Sequence, residues 1–204
     1  MGKVSALFWD VGGVLLTNGW DQEGRSAAAA RFHLDLEELE RRHWRVADAF
    51  ETGGLDLDRY LAETVFHEPR SFTPAEFVEF MHSRSRPYES ALACARSFRE
   101  GGRYVLTALN NESRELNEYR VATFHLREIF PFFLSSCYTG RRKPSPDAFR
   151  FALQVTQCAP DEALLLDDRR ENVDAAAQLG LRTLWVQDPE RVREELATAG
   201  IVAG

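Results

Sequence analysis

Cysteine is scarce in this chain. Cys94, Cys137 and Cys158 are odd in number, widely spaced and in no C-x-x-C pair. That pattern argues against a disulfide framework or a thiolate metal site, and it reads as reduced thiols of a cytoplasmic protein. Positive charge is also in deficit: 25 Lys and Arg against 32 Asp and Glu, a formal net charge of -7. A nucleic-acid partner is therefore not expected, and an anionic substrate needs a local positive cluster. No apolar run approaches the roughly 20 residues of a membrane helix, and no basic start leads into a long apolar stretch, so neither membrane association nor a signal peptide is expected. Repeats and low-complexity tracts are absent. The five histidines, His33, His43, His67, His82 and His125, show no H-x-x-x-H ligand spacing. A length of 204 residues suits one domain with an insertion, or two small ones.

What is present begins at residues 4–16, VSALFWDVGGVLL. An apolar run ends in a lone acid, Asp10, followed by two glycines. This reads as a buried strand that stops at a carboxylate, with a loop tight enough to use glycine. Open α/β sheets do their chemistry at the C-terminal ends of their strands.

Residues 18–87 carry helix patterns. Leu36, Leu39, Trp44, Val46, Ala47 and Phe50 follow a start at Asp35, are expected to be buried, and run to a break at Gly53-Gly54. Leu57, Tyr60, Leu61, Val65 and Phe66 form a second stripe. Thr73-Pro74-Ala75-Glu76 is a capping box with proline at the first helical position. A small bundle of four helices is expected here. From residue 88 helix and strand alternate, with strands expected at about 104–109, 132–135, 163–166 and 182–186. The expected fold is therefore α/β, a doubly wound parallel sheet built from residues 1–17 and 88–204, with 18–87 inserted as a helical cap.

Polar groups gather at the strand ends. The first strand ends at Asp10, the second at Asn110-Asn111 and the fourth at Asp167-Asp168; Lys143 follows the third in GRRKPSPD. Three carboxylates, two amides and a lysine at one sheet edge suit a phosphate monoester held with Mg²⁺. The hard cation takes oxygen ligands, lysine and amides take phosphoryl oxygens, and an aspartate attacks phosphorus.

The order D-x-G-G-V, L-N-N, R-K-P-S-P and L-D-D-R-x-x-N resembles the haloacid dehalogenase superfamily. It is most similar to the phosphatase branch with a helical cap after the first motif, which includes the N-terminal domain of soluble epoxide hydrolase. The resemblance implies a Rossmann-like core with the first strand between the second and fourth. It implies Asp10 as nucleophile and Mg²⁺ ligand, the Gly12 carbonyl as a second ligand, and Asp168 and Asp167 as further metal carboxylates. Asn110 and Asn111 would face the phosphoryl group, Lys143 would neutralise it, and Asn172 would orient the acidic loop. The implied activity is Mg²⁺-dependent hydrolysis of a small phosphorylated metabolite.

Two positions depart from the family pattern. Gly12 stands where phosphatases carry a second acid, which protonates the leaving group and then activates water, worth about 10²–10⁴ in rate. Asn110 stands where Ser or Thr is usual. Activity biased toward good leaving groups is the consequence expected of Gly12, with Asp21, just past the first strand, a candidate to replace the acid. Two alternatives follow: a phosphate-binding or regulatory protein with impaired turnover, and a 2-haloacid dehalogenase. The paired acids Asp167 and Asp168 argue against the latter, because beside Asp10 they repel unless a cation is present.

Overall fold

The computed structural model describes residues 3–204. Five parallel strands, β1 (Ala6–Trp9), β2 (Val105–Ala108), β3 (Phe132–Phe133), β4 (Ala163–Asp167) and β5 (Arg182–Trp185), form one sheet in the order β3-β2-β1-β4-β5. All four pairings are parallel, with Phe8 of β1 in register with Thr107 on one side and Leu165 on the other. The α/β architecture and the central place of the first strand are as the sequence implies.

β1 is buried on both faces, which is why its sequence runs apolar without alternation. Leu7 and Trp9 pack on one face with Leu92 and Phe98 of α5 (Glu89–Gly101) and Leu196 of α10 (Val192–Thr198). Ala6 and Phe8 pack on the other with Phe149 of α8 (Pro146–Thr156) and Ala176 of α9 (Arg170–Gln178). Helices therefore cover both faces of the sheet, and only strand ends and loops are free to carry chemistry. α6 (Arg114–Thr123) and the single turn α7 (Ser136–Thr139) complete this part.

Between β1 and α5 run α1 (Gln22–Phe32), α2 (Leu36–Glu51), α3 (Leu57–Thr64) and α4 (Pro74–Ser83). Each opens on a side-chain cap: Asp21, Asp35, Asp56 and Thr73 accept from the backbone N–H groups of Gly24, Glu38, Arg59 and Glu76. Their apolar faces close on a cluster of their own around Trp20, Phe50, Tyr60 and Phe77, to which Leu116 of α6 also contributes.

Two elements differ from expectation. β3 is two residues long, because the chain leaves the sheet after Phe133; Leu134 still donates its N–H to Ala108 O at 2.8 Å, and Ser135 and Ser136 turn inward to hydrogen-bond. α10 follows β5 without a sequence signal of comparable strength, yet Val192 and Leu196 are fully buried.

Candidate active site

The C-terminal edge of the sheet brings Asp10, Lys143, Asp167 and Asp168 together. The Asp10 N–H donates to Leu166 O at 2.9 Å, which continues the β1–β4 pairing by one residue and sets Asp10 beside the end of β4. One carboxylate oxygen from each of Asp10, Asp167 and Asp168 lies within 4.8 Å of the others. Lys143 Nζ bridges two of them, 2.9 Å from Asp10 Oδ2 and 2.6 Å from Asp167 Oδ2.

The electrostatics follow from three acids around one ammonium. Burial pushes Asp10 up to about 8; Lys143 opposes this, and Asp167 and Asp168 add to it. Burial by itself would depress Lys143, but Asp10 and Asp167 outweigh it and hold the ammonium above its ordinary value. Burial also raises Asp168, against the hydrogen bond from Asn18 Nδ2 at 3.1 Å. Negative charge is left uncompensated by protein, and Asp168 Oδ1 is buried with no hydrogen-bond partner. An orphaned carboxylate oxygen among crowded acids is the donor set a hard divalent cation takes. The residues present therefore fit Mg²⁺.

The acids are not equally free. Asp167 Oδ1 accepts from Asn172 Nδ2 and Arg169 N–H, both at 2.9 Å, while its Oδ2 takes Lys143. Asp167 thus has partners on both oxygens, and Asp168 is the less committed of the pair. Asn172 contacts the acidic loop through its bond to Asp167.

Three expected site residues have side chains engaged within the fold. Asn110 does not turn its side chain to the site: Nδ2 donates to Asn117 Oδ1 at 3.2 Å and Oδ1 accepts from Ser135 Oγ at 2.8 Å, so the buried amide is satisfied inside the fold. Asn111 does border the cavity, but its amide is spent on the Lys143 backbone, with Nδ2 on the carbonyl at 2.7 Å and Oδ1 on the N–H at 2.9 Å. Asp21 borders the cavity while capping α1.

The glycines have separate jobs. Gly13 has φ +73°, and a Cβ there would lie 2.1 Å from Asp168 Oδ2, so only glycine lets the loop pass the acid. Gly12 has no such backbone demand. A Cβ at position 12 would meet Asn18 Oδ1 at 2.8 Å, the end of a side chain able to move, with Arg120 Nη1 at 3.6 Å.

The cavity above these groups has a volume of about 70 Å³. Asp10, Gly12, Lys143, Asn111 and Asn172 line it from the sheet edge; Trp20, Asp21 and Glu51 line it from the helical insert. Arg169 lines it as well. Arg142 pairs with Glu51 at 2.8 Å, and Arg141 and Arg170 lie over Phe151 and Trp185. Three further lining residues carry no motif: Asn18, after β1, Glu112, after β2, and Arg120, on α6. Arg120 is buried, with Nη1 2.8 Å from Glu112 Oε2, Nε donating to Ser85 Oγ at 2.9 Å, and Nη2 donating to the carbonyls of Thr17 and Asn18. Ser113, Asn117 and Arg120 form a buried polar face of α6 at helical spacing, a pattern a sequence shares with any solvated helix face.

A family model of haloacid dehalogenase-like hydrolases matches residues 4–180. The chain belongs to the haloacid dehalogenase-like hydrolase family. Among curated members, rat bifunctional epoxide hydrolase 2 is 29% identical over 134 residues, which is 63% of this chain and 24% of that protein. The chain thus spans about a quarter of that relative's length. Flavin mononucleotide hydrolase 1 of Arabidopsis thaliana is 23% identical over 209 residues, covering 98% of this chain and 79% of that protein. A haloacid dehalogenase family enzyme of Bacteroides thetaiotaomicron superposes with a TM-score of 0.77 at 20% identity, covering 90% of this chain and 93% of that one. That enzyme has also been solved with magnesium and inorganic phosphate, at a TM-score of 0.73. Among the described residues no helix is long and apolar enough to cross a membrane.

Proposed function

We propose that this family member is a Mg²⁺-dependent phosphatase that acts on a small phosphorylated metabolite through an aspartyl-phosphate on Asp10. The observation that carries the reading is the Lys143 ammonium bridging Asp10 and Asp167, with Asp168 Oδ1 buried and unpartnered beside them. A relative named as a hydrolase of a phosphate ester and a structural neighbour solved with magnesium and phosphate support it.

In this reading Asp10 and Asp168, with the Gly12 carbonyl and a share of Asp167, hold the cation. When bound, Mg²⁺ neutralises the carboxylates and draws charge from the transferring phosphoryl group. Lys143 keeps the Asp10 carboxylate aimed, and its third N–H is left for a phosphoryl oxygen. Asp10 attacks phosphorus and the ester oxygen departs; water then cleaves the acyl phosphate and returns Asp10. Residues 18–87 act as the cap over a core of 1–17 and 88–204, with Trp20, Asp21 and Glu51 selecting the leaving group. The cavity of about 70 Å³ favours a compact substrate.

A second reading, a phosphate-binding protein without turnover, draws on Gly12 and on the Asn110 amide being satisfied away from the site. Release of inorganic phosphate from a panel of small phosphorylated metabolites separates the two. The phosphatase reading expects release with Mg²⁺, none in excess chelator and none from Asp10→Asn. Phosphate binding with no release from any panel member supports the second.

A further inference from the structure

The family's second acid is missing at Gly12, yet another carboxylate lines the same cavity and shares an arginine with that position. Arg120 Nη1 lies 3.6 Å from the point a Cβ of residue 12 would occupy, and the same nitrogen is 2.8 Å from Glu112 Oε2. Glu112 lines the same cavity as Asp10 and Lys143. Resting on the phosphatase reading above, we propose that Glu112 is the catalytic acid–base of this enzyme, supplied from the loop after β2 instead of from position 12.

The carboxyl group is built in place. The Glu112 N–H donates to Ser136 Oγ at 3.0 Å, and Ser136 Oγ donates to Glu51 O at 2.6 Å, which ties the loop to the end of α2. Glu112 Oε1 accepts from the Ser113 N–H at 3.0 Å, so both carboxylate oxygens have fixed partners. Burial raises Glu112 to about 7; Arg120 pulls it down and Glu51 adds to the rise. A carboxyl group balanced near neutrality gives and takes a proton with little cost in either direction. The other acids lining the cavity outside the metal group, Asp21 and Glu51, face it from the helical insert. Asp21 Oδ1 caps α1 at 2.8 Å from Gly24 N, and Glu51 is ion-paired to Arg142, which also holds Asp48.

The cycle balances. As Asp10 forms its bond to phosphorus, the P–O ester bond breaks, and the departing oxygen takes its electron pair and the proton of the Glu112 carboxyl group. The products are the alcohol, the aspartyl-phosphate and an ionised Glu112 that Arg120 stabilises. Glu112 then takes a proton from the water that attacks phosphorus. The P–O bond to Asp10 breaks, releasing inorganic phosphate and restoring the Asp10 carboxylate and the Glu112 acid. The bias toward good leaving groups expected from Gly12 is absent on this account.

The test is the ratio of phosphorylation rates for ethyl phosphate and p-nitrophenyl phosphate, measured in one preparation so that the fraction folded cancels. Glu112→Gln should lower the ethyl phosphate rate by about 10²–10³ while changing the p-nitrophenyl phosphate rate less than about tenfold. Adding Gly12→Asp to Glu112→Gln should restore at least about tenfold of the loss, since the space at position 12 opens when Asn18 moves. A ratio unchanged in Glu112→Gln, or a gain of 10² or more for ethyl phosphate in Gly12→Asp alone, would overturn the role of Glu112 and leave the phosphatase reading standing. No turnover of either ester by the wild type, with Mg²⁺ present, would overturn both.

Discussion

Asn111 holds Lys143 by its backbone in both directions, donating from Nδ2 to the carbonyl oxygen at 2.7 Å and accepting the N–H on Oδ1 at 2.9 Å. The loop after β3 has no strand to carry it at that point, so this amide pair joins it to the end of β2. It sets where the backbone starts from which the lysine reaches Asp10 and Asp167.

Asn111→Ala removes both bonds, each worth about 0.5–1.5 kcal/mol of stability. The larger effect is expected in the rate, because a misplacement on the order of 1 Å in a positioned group costs about 10²-fold. Phosphatase turnover should fall about 10- to 100-fold, with a melting temperature only a few degrees lower. A loss of stability with turnover per folded molecule unchanged would show that Lys143 is held by its two carboxylates alone.

His43 gives the helical insert a defined response to acid. Tyr60 OH accepts from Trp20 Nε1 at 2.7 Å and so directs its own proton to His43 Nδ1 at 2.8 Å, a bond only neutral imidazole accepts. Burial, with Arg25 and Arg142 adding to it and Glu40 opposing it, lowers His43 to about 4. Its folded value lies below the unfolded one, so its contribution to stability is full above about pH 6.5 and is lost as pH falls toward 4. The loss amounts to at most about 3 kcal/mol. His43→Gln, which keeps an acceptor for Tyr60, should flatten the fall in denaturation midpoint between pH 6.5 and 4. An unchanged slope in that variant would place the acid sensitivity elsewhere.

Asp168→Ala separates metal binding from folding. The carboxylate it removes has one oxygen without a partner and a pKa raised by burial, so the metal-free protein loses little and is relieved of repulsion from Asp167. The melting temperature without metal should be equal to or above that of wild type, and the rise that Mg²⁺ gives the wild type should be lost. A Mg²⁺-induced rise of wild-type size in Asp168→Ala would remove Asp168 from the cation site.

Most of the sheet edge was legible before the fold was known, because a polar residue closing a buried apolar run has few other reasons to be there. Asp10, Asp167 and Asp168 share that signal, and they meet. Lys143 carried less signal, yet the same edge receives it. The orientation of a short amide was not legible. Asn110 and Asn111 are adjacent and chemically identical, but one turns toward Asn117 and Ser135 and the other toward the Lys143 backbone. Nor was the Glu112–Arg120 pair, since nothing in an acid on a loop and an arginine on a helix distinguishes a buried ion pair from two solvated charges. That Gly12 meets no positive-φ demand was likewise hidden, because glycine in a sequence does not say whether it serves a backbone angle or a space.

If Asp10 carries the phosphoryl group, acid quench of the enzyme during turnover captures it there. With Mg²⁺ and p-nitrophenyl phosphate, peptide mass spectrometry should find one phosphoryl group per chain, on the peptide containing Asp10. It should be absent in Asp10→Asn and in excess chelator, and removable by hydroxylamine as an acyl phosphate is. Steady release of phosphate by a chain that never carries the label on Asp10, or that turns over equally well as Asp10→Asn, would contradict the account.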